Sequence, residues 1–487
     1  MTVLRLGHCP DATREQIGGK AFSVNAMLNL GLPVPPAFVL GIDECVRYYG
    51  SGRTLAADVR AELRTGIATL ESELGRGFGG PSRPLLVSVR SGAARSMPGM
   101  MDTILNLGIN SDIERALRTA TADSDYAADT HRRFRDQFRK VVGAEPPADP
   151  WQQLEAAVAA VFDSWRSPRA VAYRRHHDIA EDGGTAVTVQ AMVFGNLDDN
   201  SGTGVLFTRD PITAASDPFG EWLPGGQGED VVSGRCTPQP LGELADQLPD
   251  VHAELMRAAT LLERTMRDVQ DIEFTVESGR LWLLQSRSAK RSASAAVHHA
   301  VTFEREGIVT PEGALAMISP EQLEAFLRPH LAPSARTGAT VLATGEVACP
   351  GVASGVVVTS ADEAQDLADD GVDVILARPT TDPEDVHGML AAQAVITEIG
   401  GATSHAAVVS RELNKVCIVG CGAGRLQDLA GRKVTVDATA GEVLDGILEV
   451  EVPSKNSHPD LQVLGQWLES TAGAGHKRLK IVLAQVQ

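Results

Sequence analysis

The sequence predicts a multidomain protein of α/β and α+β class. Three observations predict it. The chain has 487 residues, 43% of them apolar, more than a single hydrophobic core usually spans. Up to about residue 290, strand-like runs (LLVSVR, TAVTVQAMVFG, GVLFT, DIEFTV, RLWLLQS) alternate with long helical patterns. From 341 to about 450 the pattern changes to short strands broken by glycine: PGVASGVVVTS, DVILARP, AVITEI, KVCIVG and RKVTVDATAGEVLDG. These features place one domain at 1–290 and a compact second one at 341–450. Between them, 291–340 is a helical connector, in which SASAA precedes the helical spacing of TPEGALAMISPEQLEAFL. Residues 451–487 carry no motif and form a tail of unknown role.

Composition excludes several function classes. A net charge of −19 argues against nucleic acid or an anionic membrane as partner, because counterion-release binding needs clustered Lys and Arg. Any phosphate site must therefore be a local pocket of positive charge. The six cysteines are scattered, with no CxxC pair and no zinc-type spacing, as expected of reduced thiols in a cytoplasmic protein. The N-terminus lacks the pattern of a signal peptide, and no stretch approaches the ~20 apolar residues of a membrane span.

Taken in chain order, five segments bear on chemistry. In IGGKAFSVNAMLNLGLPVPPAFVL, Lys20 follows two glycines and precedes an amphipathic helix, where a flexible ammonium can reach phosphates. GRGFGG satisfies GxGxxG, but it follows the helical ESEL and leads into PSRP, so it reads as a surface loop. No GxxxxGK[ST] occurs, so ATP, if used, is not held by a P-loop. In LLVSVRSGAARSMPGMMDTILNLG a buried strand delivers Arg90 into a loop of Ser, Gly, Ala and Met running through Met101. Such loops commonly fold over a ligand; the alternative for Arg90 is a salt bridge at a strand end.

The fourth segment is DIEFTVESGRLWLLQSR. Ile272, Phe274 and Val276 alternate with Asp271, Glu273 and Thr275, so one strand has an apolar face and an acidic one. With a three-residue loop at Ser278, Gly279 and Arg280, Glu273 falls opposite Gln285 and Asp271 opposite Arg287. A carboxylate beside an amide oxygen suits Mg²⁺ when phosphate oxygens complete the shell, and Arg287 supplies a fork for phosphate. The alternative is a solvated hairpin face with charged cross-strand pairs. The fifth segment, GGATSHAAVVSREL, puts His405 at the start of a short apolar helix after a glycine-rich turn, with Thr403 and Ser404 as candidate N-caps. Free backbone N–H groups and the helix dipole favour an anion there, which suits a phosphorylated histidine as well as a plain capping residue.

The segments IGGKAFSVNAMLNLGLPVPPAF, SVRSGAARSMPGMMDTILNLG, SGTGVLFTRDP, QGEDVVSG, DIEFT with LLQSR, and GGATSHAAVVSREL occur in the order seen in pyruvate, phosphate dikinases. From about residue 15 to 447 the chain resembles that family. The resemblance implies an ATP-grasp nucleotide-binding domain followed by a swivelling β/β/α phosphohistidine domain. It implies that Lys20 and Arg90 contact the transferring phosphates, that Glu273 and Gln285 hold Mg²⁺, and that Arg287 assists. Gln190 and Met192 would lie at the adenine hinge with Glu229 nearby, and Met101 would join the nucleotide-contacting residues. Thr403 is the position at which family members are switched off by phosphorylation. WLPGGQGED is looser than the family's usual segment, which puts the nucleotide edge around Gln227 and Glu229 in doubt.

The implied reaction uses ATP, Mg²⁺ and inorganic phosphate. His405 attacks the β-phosphoryl group while phosphate takes the γ-phosphoryl, giving AMP, pyrophosphate and phospho-His405. The connector is expected to let the histidine domain swing between two sites. In the family a barrel that binds pyruvate or phosphoenolpyruvate follows, and no counterpart of its motifs is found here. The expectation is therefore a partial reaction, with a separate protein carrying the pyruvate site. Two other readings stand beside it: a dikinase for a different acceptor, of the rifampin or glucan type, and a non-catalytic regulatory binding protein.

Overall fold

The computed structural model describes residues 3–484 apart from 96, 98–100, 122, 177–178, 182, 228–237, 402–403, 414, 452–457 and 471–476. The chain divides into two compact units, Met1–Arg291 and Ser292–Gln487. Both mix helices and sheets, in keeping with the α/β and α+β class. Among the described residues no helix is long and apolar enough to cross a membrane.

The first unit is built on two antiparallel sheets. One joins β1 (Val3–Arg5), β2 (Ala37–Leu40), β3 (Val87–Gly92), β4 (Thr103–Leu107) and β5 (Ala186–Ala191) in the order β1-β2-β5-β3-β4. The other joins β6 (Gly202–Phe207), β7 (Phe219–Pro224), β8 (Gln239–Pro240), β9 (Gln270–Glu277) and β10 (Arg280–Ser288) in the order β8-β7-β6-β9-β10. Alternation along the strands of the first sheet serves two cores. Phe38, Val87, Val89, Val187 and Val189 pack into one with the helices of residues 57–164, while Ala37, Val39 and Ala186 face the other. That second core is filled by helix α1 (Arg14–Asn29) and by the apolar face of the second sheet, Ile272, Phe274, Val276, Leu281 and Leu283. Ile17, Ala21, Val24 and Met27, at helical spacing, are fully buried there, and burying side chains the size of Ile17, Val24 and Met27 contributes roughly 1.5–3 kcal/mol each relative to leaving them exposed.

In the second unit one sheet runs in the order β11-β18-β17-β13-β14-β15-β16-β12. Its strands are β11 (Val341–Thr344), β12 (Glu346–Cys349), β13 (Val352–Val358), β14 (Val374–Arg378), β15 (Ala394–Thr397), β16 (Val416–Val419), β17 (Lys433–Asp437) and β18 (Glu442–Asp445). The two end strands, β11 and β12, are separated by Gly345 alone, so one passage of chain pairs with β18 on one side and β16 on the other. The sheet thus closes into a ring around Ala343, Val357, Ile375, Ile396, Ile418, Val434 and Val443. Glycine is required at the join: a Cβ on Gly345 would stand 2.6 Å from the carbonyl oxygen of Val419.

The connector and the tail prove to be parts of one helical body. Helices at Ala293–Arg305, Pro311–Ala316 and Pro320–Phe326 pack against Pro459–Ser470 and Lys477–Ala484. Leu461, Leu464 and Leu468, with Leu479, Val482 and Leu483, supply the tail's share of this core. The tail that carries no motif therefore has a packing role.

Candidate functional site

Glycine geometry sets the first part of the site. Gly18 adopts φ +76° within α1, and a Cβ there would lie 1.9 Å from the carbonyl oxygen of Gly92. Only glycine permits that approach. The Gly19 N–H then donates to the Ala93 carbonyl at 2.8 Å, which ties the start of α1 to the end of β3. Lys20 and Arg90 are thereby brought to one place. Further along α1, the Ser23 hydroxyl donates to the Ser286 carbonyl at 2.5 Å and accepts from the Ser286 N–H at 3.1 Å, fastening the helix to β10.

The hairpin supplies the second part. Glu277 pairs with Arg280, so the turn has two residues, Ser278 at φ 50° and Gly279 at φ 74°, rather than three. Positive φ at both positions is the pattern of a type I′ turn. That register alone would set Glu273 opposite Leu284. A bulge between Glu273 and Phe274 absorbs Leu284, after which Glu273 pairs with Gln285 and Asp271 with Arg287. The bulge shifts the strand by one residue, turning Gln285 and Arg287 from the apolar face to the acidic one. The expected pairing is present, produced by a tighter turn and an added residue that compensate.

Charge converges where these elements meet. Arg90 Nη2 lies 3.6 Å from Glu273 Oε2, too long for a good hydrogen bond, and among the described residues Arg90 Nε is buried without a partner. Arg287 Nε donates to Asp271 Oδ2 at 2.8 Å, while Asp271 Oδ1 is buried with no partner among the described residues. Burial raises the Asp271 pKa despite the opposing pull of Arg287. Lys20 is half-buried as a residue, yet its ammonium is deeply desolvated. Desolvation, then Arg90 and more weakly Arg287, draw its pKa down to about 7 against the opposing pull of Glu273. Lys20, Arg90 and Arg287 thus form a cationic cluster that is incompletely neutralised, the chemistry expected where a polyanion binds. Among the described residues no group of three or more His, Cys, Asp or Glu is placed to hold a metal by itself. Glu273, one-third exposed, and Gln285 offer two oxygen donors on one face, which fits a divalent cation only when phosphate oxygens complete its shell.

The remaining expected nucleotide residues lie as follows. Gln190 is buried on β5, and its Nε2 donates to the Pro35 carbonyl at 3.1 Å. Met192 donates its N–H to the Leu86 carbonyl at 2.9 Å, and its side chain packs on the first core. Met101 also packs on that core. Glu229 and Thr403 lie outside the described residues.

His405 opens the helix α2 (His405–Glu412) in the second unit. The turn before it is fixed by Ile399 N–H to Pro379 O at 3.0 Å and Ser404 N–H to Gly401 O at 2.9 Å, with Gly400 at φ +132°. Ser404 caps the helix, its Oγ accepting from Ala407 N–H at 3.4 Å. His405 Nδ1 lies 3.0 Å from Thr381 Oγ1, and among the described residues Nε2 makes no hydrogen bond. Sequence reasoning missed Thr381 altogether. It lies 24 positions before His405, in a segment whose only visible signal is the capping pattern of Asp382 and Asp385. It also placed Asp271 on the acidic face without giving it the task of holding Arg287.

Comparison with known proteins finds two family models on the chain. The family model for the "pyruvate phosphate dikinase, AMP/ATP-binding domain" matches residues 51–249 and 243–307, which include Arg90, Glu273, Gln285 and Arg287. That for the "PEP-utilising enzyme, mobile domain" matches 371–441, which includes His405. Pyruvate, phosphate dikinase of Rhizobium meliloti (strain 1021) is 39% identical over 529 residues, covering 94% of this chain and 58% of the relative. Pyruvate, phosphate dikinase 2 of Zea mays is 39% identical over 528 residues, covering 96% and 59%. The Clostridium symbiosum enzyme is 38% identical over 501 residues, covering 91% and 57%. The chain thus spans less than two thirds of the length of the relatives it matches.

Proposed function

The chain belongs to the pyruvate, phosphate dikinase family, and from that membership we propose that it carries out the nucleotide half of a dikinase reaction. ATP and inorganic phosphate react with His405 to give AMP, pyrophosphate and phospho-His405. The observation that carries the reading is the convergence of Lys20, Arg90 and Arg287 with Glu273 and Gln285 on one face, in a unit separate from a histidine at a helix start whose Nε2 makes no hydrogen bond among the described residues.

In the proposed reaction Nε2 of His405 forms a bond to the β-phosphorus, and the bond from that phosphorus to the oxygen bridging to the α-phosphate breaks, releasing AMP. Inorganic phosphate accepts the γ-phosphoryl group as the β–γ bridge breaks, which releases pyrophosphate. Arg90 and Arg287 present planar forks to phosphate oxygens, and Lys20 adds a compact point charge. Lys20 enters the reaction charged, because an arriving phosphate restores the proton that its surroundings withhold. Glu273 and Gln285 would hold Mg²⁺, which when bound neutralises charge on the polyphosphate. Positioning and electrostatics supply most of the acceleration in such transfers.

The reading is tested by incubating the protein with ATP labelled in the β-phosphoryl group, Mg²⁺ and phosphate. An acid-labile, base-stable label on His405 is expected, and His405→Ala should carry none while still binding ATP. Undiminished labelling of that variant refutes the assignment. Pyruvate added to the same mixture tests the restriction to the nucleotide half, since phosphoenolpyruvate made by this chain alone would overturn it.

A further inference from the structure

We propose that Thr381 sets the reactive form of His405: it accepts a hydrogen bond from Nδ1–H, holds the tautomer whose bare Nε2 is the nucleophile, and is itself fixed by the Arg378–Asp385 pair. The proposal rests on the phosphohistidine reading above and deepens it.

The geometry begins with access to the ring. Thr381 Oγ1 stands 3.0 Å from Nδ1, which leaves no room for a phosphoryl group to bond that nitrogen. Nε2, which no described residue engages, is the nitrogen left to attack. An imidazole nitrogen attacks only through a lone pair, so Nε2 must be bare and the ring proton must reside on Nδ1. Free neutral imidazole side chains prefer the opposite arrangement, with the proton on Nε2. A hydroxyl oxygen placed to accept from Nδ1–H reverses that preference.

Thr381 is held in place by more contacts than a surface turn requires. β14 ends at Arg378, whose Nη1 donates to the Thr359 carbonyl at 2.9 Å and whose Nη2 lies 3.3 Å from Asp385 Oδ1. Asp385 is 5% exposed, and its Oδ2 accepts from the Asp382 N–H at 3.1 Å, one residue past Thr381. The Asp382 side chain in turn accepts from the Glu384 N–H at 2.9 Å. The two loops are stitched together by Glu398 N–H to Arg378 O and Ile399 N–H to Pro379 O, both at 3.0 Å. An ion pair between half-buried Arg378 and buried Asp385 thus fixes the turn, the turn fixes the hydroxyl, and the hydroxyl fixes the proton. Partners that orient an imidazole in this way typically matter about 10–100-fold in activity at metal-bound histidines, and the expected effect here is set on that scale.

The test uses the full chain with Thr381→Val, which removes the hydroxyl at nearly constant volume, and Thr381→Ser, which keeps it. Nitrogen-15 spectra of the histidine rings, with His405 assigned by its loss in His405→Ala, should show a protonated Nδ1 and a bare Nε2 in the wild type and in Thr381→Ser. In Thr381→Val the proton should redistribute toward Nε2, and label incorporation from ATP should slow about 10–100-fold with KM for ATP unchanged. Thr381→Ser should restore a rate close to wild type. A wild-type rate in Thr381→Val, a protonated Nε2 in the wild type, or label found on Nδ1 would each overturn the proposal. If the wild type takes no label at all, the phosphotransfer reading fails, while the ring spectra still decide whether Thr381 sets the tautomer.

Discussion

Replacing Lys20 by methionine should stabilise the protein while ending its proposed activity, with a pH signature that can be worked out beforehand. The ammonium is depressed from its ordinary 10.5 to about 7 by desolvation first and by Arg90 next. At 1.36 kcal/mol per unit of pKa, keeping Lys20 charged in the folded state costs roughly 4–5 kcal/mol. Below pH 7 the folded and unfolded chains both bind the proton, and the whole cost is present. Between pH 7 and 10.5 only the unfolded chain binds it, so stability rises with pH by up to ~1.4 kcal/mol per unit. Above 10.5 neither binds it, and the cost vanishes. Methionine fills similar volume without the charge, so Lys20→Met should be the more stable protein at pH 6, and its advantage should shrink steadily toward pH 10. Urea unfolding followed by tryptophan fluorescence suits the question, because Trp151, Trp165, Trp222 and Trp282 lie in the first unit and Trp467 alone in the second. Parallel stability curves for the two proteins across pH 6 to 10 would refute the claim that a desolvated charge is held there.

Two further outcomes follow from the same region. ATP binding at pH 8 should take up close to one proton, seen as a dependence of the calorimetric enthalpy on buffer ionisation, and Lys20→Met should take up none; equal uptake by both would move the titrating group elsewhere. Deleting Leu284 removes the bulge and joins Leu283 directly to Gln285, so a regular hairpin should keep Glu273 opposite Gln285 and Asp271 opposite Arg287. The melting temperature should stay near that of the wild type, and a fall of the size an unpaired buried charge produces, about 3–5 kcal/mol, would refute this account of the register.

Much of the site was legible because chemistry-bearing residues sat in short local patterns. The Gly-Gly-Lys step, the acidic alternation of Asp271 and Glu273, and the glycine turn before His405 each announced a local geometry that the structure contains. The hairpin shows how far local reading reaches. A three-residue loop and a two-residue turn with a bulge yield the same pairing of Glu273 with Gln285, and residue types alone do not separate them, because Ser278 accepts a positive φ that sequence gives no reason to expect there. The tail was illegible for another reason. Its apolar positions repeat for barely two helical turns per segment, and their partners, Val297, Leu315 and Phe326, lie well over a hundred residues earlier. Thr381 is the extreme case, since its contact with His405 exists only through the parallel alignment of β14 with β15.

The barrel of the second unit is a bracelet with one clasp. An open sheet has two raw margins, and each is an invitation to a strand from another copy. Here the same short passage fastens both margins, so among the described residues this sheet leaves no free margin for a neighbour to extend. The economy has a cost in resilience. Gly345 lies against the carbonyl of Val419 on one side and accepts the closest approach of Gly441 on the other. One methyl group at the clasp would therefore release both margins at once, and the harm would reach the histidine loop beside it, where Gly401 lies next to the Glu346 carboxylate, without altering His405 itself.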